Sequence, residues 1–499
     1  MPRVPILYGS RLVVAGVGDE ALVIAPPPPP DEPIADIGAA VRDALRFPLA
    51  GQPLETLVPR GGRVTILVEP PALPIPGASH DPRQAALVAA ADELERIGIP
   101  TERHTILVAA GLGRRPGRRA VESLVTPQFA RRFHGEVAVH DAEDPALVGL
   151  GEHEGVALRI HRALVETDAV VTVSAAETVL NGGPATLLAA AAASTLRAAT
   201  AESLLETSLA PGWELALALE RAVGMKVPLI GASLTLDLPR LSGALRGYPY
   251  DPEAVARIAG SRLARAFGLL PAPLRTRTLA SLPLEITASA AFAGLPSVAH
   301  AEALVRSVDT ESAALDEPLD AICIGIPRTT PFLPREKPNA LVAAQLGLGY
   351  ALRLWRNGFP VRDGGTAILV TPLRRRFTHP TQQPYRAFFQ ATRAGTDSLD
   401  EAEQAAASDR RAIEAYRAGR TCHPRLPFAD WEACRPALDR LGTVIVAGCR
   451  DAVAARQLGF VPTHGVPAAL DMARGLAGGS PRIGFLLSPP YFPIRVGGQ

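Results

Sequence analysis

Gly61-Gly62-Arg63-Val64-Thr65-Ile66-Leu67-Val68 and Thr105-Ile106-Leu107-Val108-Ala109-Ala110-Gly111 flank a segment, Pro82–Ile97, whose apolar residues recur at helical spacing and stop at Gly98. Apolar run, helix and apolar run make a β-α-β unit. Working outward, Glu136–Val139 reads as a third strand and Ala169–Val173 as a fourth. Such alternation predicts an α/β fold with a mainly parallel, doubly wound sheet flanked by helices. The rhythm restarts later with the strands Ala321–Ile326, Thr366–Val370, Thr443–Ala447 and Arg482–Leu487. Two domains of the same class are expected, residues 1–305 and 306–499, the second Rossmann-like.

The less regular segments complete this reading. Arg11–Ala15 and Ala21–Ile24 form a small β-unit around Gly16-Val17-Gly18-Asp19, and Pro26–Pro30 is a stiff extended linker to the first domain. The middle reads as more helical, with Ala185–Thr195, Trp213–Val223 and Pro252–Ala266, while Leu270–Leu284 takes no assignment. Ala340–Arg356 has the spacing of a long amphipathic helix. Gly364-Gly365 reads as a turn into the next strand, and Leu399–Ala418 as a helix.

Composition narrows the function. The 499 residues are 47% hydrophobic and 20% charged, with a net charge of +1, so no general basic footprint for nucleic acid exists. Only Lys226 and Lys337 are lysines; nearly all cationic charge is arginine. The four cysteines form no CxxC pair, which disfavours a disulfide framework. No signal peptide is read at the start, and the alanine-rich stretch at 187–196 is shorter than the ~20 residues that span a bilayer. A soluble cytoplasmic protein with no membrane partner is expected. Sequence leaves the oligomeric state open.

Strand ends carry the candidate chemistry. Gly111-Leu112-Gly113-Arg114-Arg115-Pro116-Gly117 follows a strand and precedes a helix, where backbone N–H groups can meet an anion. Its GxGxxxG spacing departs from the dinucleotide fingerprint, and a tight turn with solvated arginines remains the alternative. Arg374-Arg375-Arg376 occupies the equivalent place in the second half. If the domains face each other, Arg114, Arg115, Arg374, Arg375 and Arg376 clamp a small carboxylate or phosphate in an interdomain cleft. His140, beside Asp141, and His379 are the candidate proton-transfer groups. No HExxH, HxH, GxSxG or GxxxxGK[ST] pattern occurs, so no metal ligand is assigned.

In order along the chain, these pieces resemble the lactate racemase family, whose members use a nickel-pincer nucleotide. Leu54–Leu57 with Gly61–Val68 resembles that family's first core strand, and Pro74-Ile75-Pro76 its following proline pair. Thr105–Gly111 resembles the strand leading to its Gly-x-His-Arg loop. Val139-His140-Asp141-Ala142 resembles its Asn-His-Asp segment, and Asn181-Gly182-Gly183 its Ser-Gly-Gly turn. Asp363–Val370 and Val444–Gly448 with Leu458-Gly459-Phe460 resemble its second-domain strands.

The resemblance implies a racemase or epimerase of 2-hydroxy acids. It also implies a lysine that tethers the cofactor, a nickel-binding histidine and two proton-shuttling histidines. In this chain the tether position falls on Ala185, and no histidine lies between His161 and His300. One shuttling histidine falls on Gly113, with Arg114 kept beside it, and the first motif's Asp and Arg fall on Pro70 and Leu73. Lys337 aligns loosely with a second-domain lysine. The cofactor is therefore unknown from sequence. The alternative is a non-catalytic relative that binds a small carboxylate or nucleotide.

Overall fold

A computed structural model describes residues 3–16, 21–30, 32–70, 81–327, 338–377, 379–393 and 399–497. Two six-stranded sheets organise them. The first runs in the order Ala288–Gly294, Leu229–Leu236, Ala169–Ala175, Val64–Val68, His104–Val108, Glu136–Val139. Its strands are parallel, apart from Ala288–Gly294, which pairs antiparallel with Leu229–Leu236. Every residue of Val64–Val68 is buried, which explains its unbroken apolar run. Ile66 faces Val41 and Leu45 of helix Ile37–Arg46 and Leu87 and Leu94 of helix Pro82–Arg96. Leu67 points the other way, into Leu187 of helix Pro184–Ala189 and Leu215 and Leu219 of helix Pro211–Gly224.

Helix Pro82–Arg96 starts where its caps require. The Asp81 side chain accepts the Arg83 N–H, Pro82 occupies the first turn, and Gly98 follows the last turn at φ 91°. Within the first domain, sequence underrated small residues. Ala288–Gly294 reads poorly as a strand because alanine, serine and glycine dominate it, and Gly231, Ala232 and Ser233 interrupt the apolar run of Leu229–Leu236. Gly231 is required there, since a Cβ would sit 2.9 Å from Pro296 Cα of helix Pro296–Glu311. A hairpin, Val148–His153 with Val156–Ile160, was likewise not foreseen.

The second sheet is wholly parallel, in the order Val461–Thr463, Thr443–Ala447, Val361–Val370, Leu319–Gly325, Ile483–Leu486, Ala21–Ile24. This corrects the expected partition. Ala21–Ile24 is not part of an N-terminal unit: it pairs with Ile483–Leu486 as the edge strand of the second sheet. Arg11–Gly16 pairs instead with Arg3–Tyr8, in a hairpin packed on the same sheet, and residues 17–20 lie outside the described ones. Helix Pro252–Gly260 also packs on it through Val255 and Ile258. A cut at 305 falls inside helix Pro296–Glu311, whose Ala303 carbonyl accepts from Thr235 of the first sheet.

Three further expectations change. Ala340–Arg356 is not an amphipathic helix. It runs as helix Ala340–Ala344, a π-helical stretch Gln345–Tyr350 and a tight turn Ala351–Arg353, all buried. Gly347 permits this, because a Cβ there would meet Leu369 Cδ2 at 2.6 Å. Gly364, at φ 78°, lies inside strand Val361–Val370, where the register with Leu319–Gly325 slips, rather than in a preceding turn. Leu270–Leu284 contains helix Ala272–Ala280. Among the described residues no helix is long and apolar enough to cross a membrane.

Glu93, 1% exposed, ties two helices together. It accepts from Arg46 at 2.9 and 2.8 Å and from Arg96 at 2.9 and 2.7 Å. Burial opposes its charge, but the hydrogen bonds from Arg46 and then Arg96 win and hold its carboxyl below the usual range. A lowered native value stabilises the fold above pH ~4.3 and loses that contribution as pH falls through it. Glu93→Gln is expected to cost about 2 kcal/mol at pH 7 in urea unfolding followed by circular dichroism. The gap should narrow as pH falls below ~4.3; an undiminished gap in acid would assign the loss to packing.

Candidate functional site

Parallel pairing puts the carboxyl ends of Leu319–Gly325, Val361–Val370 and Thr443–Ala447 on one edge of the second sheet. The N-terminal hairpin closes over that edge. Gly9 N–H donates to Ile326 O at 2.9 Å, Leu7 N–H to Ser488 Oγ at 2.9 Å, and Tyr8 Oη to Gly448 O at 2.6 Å. Between hairpin and edge lies a cavity of about 300 Å³ bordered by five arginines: Arg11, Arg275, Arg374, Arg376 and Arg450. Ser10 and Thr371 add hydroxyls.

None of these arginines forms an ion pair with a described carboxylate. Arg11 Nη2 and Arg275 Nη1 both donate to Gly268 O, at 3.3 and 3.4 Å, so two cations share one carbonyl. Burial, and then the Arg11 charge, pull Arg275 below its ordinary value. Guanidinium still keeps its proton at neutral pH. Like charges held this way repel, an effect that solvent at the exposed Arg11 weakens. An anion entering the cavity relieves that repulsion.

The two arginine clusters read from sequence are not brought together. Arg374 and Arg376 line the cavity, while Arg375 Nη1 donates to Gln457 Oε1 at 3.3 Å. Arg114 and Arg115 are absent from its walls and hold the domains together instead. Arg114 Nε donates to Gly419 O at 2.7 Å, and Arg115 donates to His140 O and Val139 O, both at 3.0 Å, and to Arg417 O. Asp141 receives Arg417 Nε at 2.8 Å. The loop Gly111–Gly117 thus meets the second domain, with His423 N–H donating to Leu112 O at 2.9 Å.

Neither candidate histidine borders the cavity. His140 is buried, its Nε2 on Ala191 O at 2.9 Å and its ring 5.7 Å from that of His161. Desolvation lowers its pKa to about 4, so it is neutral at pH 7. His379 is exposed and caps the turn Pro380–Gln382 through Thr381, at 2.9 Å to the hydroxyl.

A second constellation sits at the carboxyl edge of the first sheet, and sequence reasoning missed it. Glu69, next after Val64–Val68, accepts from Thr186 Oγ1 at 3.2 Å. Burial, and then the Glu177 charge, raise its carboxyl to about 7. Glu177 pairs with Arg83, which Asp81 also holds at 2.7 Å. From the second domain come Tyr350 and Tyr491, rings 5.7 Å apart, whose buried hydroxyls have no partner among the described residues. Tyr350, which ends the π-helical stretch, is pushed up by burial and then by Glu177. The Gly182-Gly183 turn nearby makes room for His300, since a Cβ on Gly183 would lie 2.3 Å from His300 Cβ. Of the missed residues, Glu69 and Arg450 had a readable signal, standing just beyond strands Val64–Val68 and Thr443–Ala447 as Arg374 does beyond Val361–Val370.

Comparison with known proteins agrees with this geometry at the level of fold. The sequence profile of the lactate racemase N-terminal domain matches residues 8–180. No curated protein matches the chain. The lactate racemase apoprotein from Thermoanaerobacterium thermosaccharolyticum superposes with a TM-score of 0.60 at 14% identity, covering 99% of this chain and 100% of its own. A crystal structure of a protein from Thermotoga maritima gives a TM-score of 0.50 at 12% identity, covering 92% and 98%. Residues 8–180 therefore resemble the lactate racemase N-terminal domain, and the whole chain carries the two-domain α/β fold of the lactate racemase apoprotein.

Proposed function

We propose that this lactate-racemase-like protein binds a small organic anion, a carboxylate or phosphate, in the arginine-lined cavity of its second domain. One observation carries the reading: five guanidinium groups converge on about 300 Å³ without an ion-paired carboxylate among the described residues. Planar forks of donors suit carboxylate and phosphate oxygens, and a partly desolvated site strengthens each contact.

The nickel-pincer nucleotide of the resembled family fits the described residues poorly. The tether position, Ala185, is a buried methyl group in helix Pro184–Ala189. Lys226 is exposed and precedes strand Leu229–Leu236, at the amino edge of the first sheet, opposite the Gly182-Gly183 turn. Lys337 and Leu73-Pro74-Ile75-Pro76 lie outside the described residues.

A second reading, racemisation or epimerisation of a 2-hydroxy acid by other groups, is favoured by Glu69. It combines a strand-end position, a carboxyl raised to about 7 and the buried Tyr350 hydroxyl near its neighbour Glu177.

Titration calorimetry with phosphate and with L-malate tests the first reading. Arg376→Ala/Arg450→Ala is expected to weaken binding at least ~10-fold, about 1.4 kcal/mol, while Arg375→Ala leaves it unchanged. Binding should also weaken as salt screens the site. Equal affinities for wild type and the double variant would sink the proposal. For the second reading, proton NMR of L-lactate in D2O should show loss of the Cα–H signal with wild type and not with Glu69→Gln. A carboxylate base acts only when ionised, so the rate should rise with pH and level off above about 7. No exchange by wild type at any pH would exclude it.

A further inference from the structure

We infer that the anion is a nucleoside diphosphate, its phosphates in the arginine cavity and its nucleoside in a neighbouring compartment beyond Tyr8. This rests on the anion-binding reading and deepens it. The neighbouring compartment, about 440 Å³, shares Tyr8, Arg11 and Arg450 with the arginine cavity, so the two adjoin. Beyond those shared residues their walls differ. The first adds Arg275, Arg374 and Arg376, whereas the second adds Val13, Val370, Ala447 and Val466, with His464 and Cys449 as its further polar side chains.

Tyr8 stands where they join and cannot swing away. Its hydroxyl donates to Gly448 O at 2.6 Å, and its ring lies so close to Gly448 that a Cβ there would meet Cε2 at 2.6 Å. Gly448 is held at φ 77°, so backbone and ring fix each other. A ligand that fills both spaces is strongly anionic at one end and flat and weakly polar at the other, with an aromatic face at its waist. Several arginines match a diphosphate better than a single carboxylate. Apolar walls with a few polar groups match a base, whose faces are apolar and whose edge alone needs donors and acceptors. The position, outside the carboxyl ends of parallel strands, is where open α/β sheets take such ligands. It belongs to the second domain, whereas Ala185 belongs to the first, so this site is separate from the tether position.

Calorimetry with pyrophosphate, ADP and adenosine separates the possibilities. Pyrophosphate is expected to bind, and ADP to bind at least ~10-fold more tightly. Gly465→Phe projects a ring into the second compartment. Residue 465 has an extended backbone that any residue adopts, and its nearest obstacle is Pro467 Cδ at 3.8 Å. This variant should lower ADP affinity to that of pyrophosphate and leave pyrophosphate unchanged. His464→Ala, which perturbs packing less, should weaken ADP alone by a smaller factor. Arg450→Ala should weaken both. If pyrophosphate binds and ADP is no tighter, or if Gly465→Phe weakens both equally while its thermal unfolding matches wild type, the nucleotide inference falls and the anion reading stands. If neither pyrophosphate nor ADP binds, both fall.

Discussion

Parallel pairing constrains everything else in this molecule. Once Val64–Val68 and Leu319–Gly325 are each flanked by parallel neighbours, every crossover must be covered by helices, both faces are sealed, and side chains within the strands can only pack. Chemistry is then confined to the loops at the carboxyl ends. Glu69, the Gly111 loop, Glu177 and the Gly182-Gly183 turn share that edge of the first sheet. Ile326, Thr371 and Gly448 share it in the second. The hairpin Arg3–Gly16 departs from this economy. It leaves its place in the sequence to cover the second edge, and so encloses a cavity that the sheet alone would leave open.

Near-absence of lysine has a structural counterpart. An ammonium is a compact charge that sheds water reluctantly, whereas guanidinium carries five donors in a plane and tolerates partial burial. Several arginines in this chain are spent on backbone carbonyls rather than carboxylates. Arg115 joins Val139, His140 and Arg417 across the domain junction, and Arg353 joins Ala201, Glu202 and Gly349. Burial drags Arg353 down to about 10, which still leaves it charged at neutral pH. Ion pairs reinforce the same junction, with Asp141 on Arg417 at 2.8 Å and Glu403 held by Arg197 at 3.0 Å and Arg425 at 3.1 Å. Arg11 and Arg275 of the cavity follow the same habit, both donating to Gly268 O.

Much of the fold was legible because local patterning and tertiary burial agree there. Glu136–Val139 and Thr443–Ala447 match the reading residue for residue, and Pro82–Arg96 departs from it by one. Legibility failed where spacing carries no information about partners. Ala21–Ile24 looks like a hairpin arm, but its hydrogen bonds go to a strand some 460 residues later, as the pairing of Ile24 with Leu486 shows (486 − 24 = 462). Ala340–Arg353 has helical spacing on one side and is buried on all sides, so amphipathicity was the wrong inference from a correct periodicity. The candidate site divides likewise. Arg374 and Arg376 were readable from their place after a strand. Arg11 and Arg275 reach the same cavity from a hairpin and from a helix in a segment that took no assignment, and only the fold brings them there.

The Asn181-Gly182-Gly183 turn shows how packing alone can require a pair of glycines. Its glycines adopt φ 95° and 55°, and a Cβ on either would strike His300, at 2.5 and 2.3 Å. His300 is locked in turn by its Nε2 on Thr178 O at 3.0 Å, and it lies 5.8 Å from the Trp213 ring. Desolvation keeps it neutral, with a pKa near 4. The double glycine is therefore explained by packing alone, whatever stands at the next position but one. A resemblance built on such glycines and on apolar strands transmits architecture, because architecture is what those residues determine. Reactivity depends instead on which functional side chains stand at the strand ends. Function in this chain has to be argued from the charges it does possess, and those gather where the N-terminal hairpin meets the second sheet.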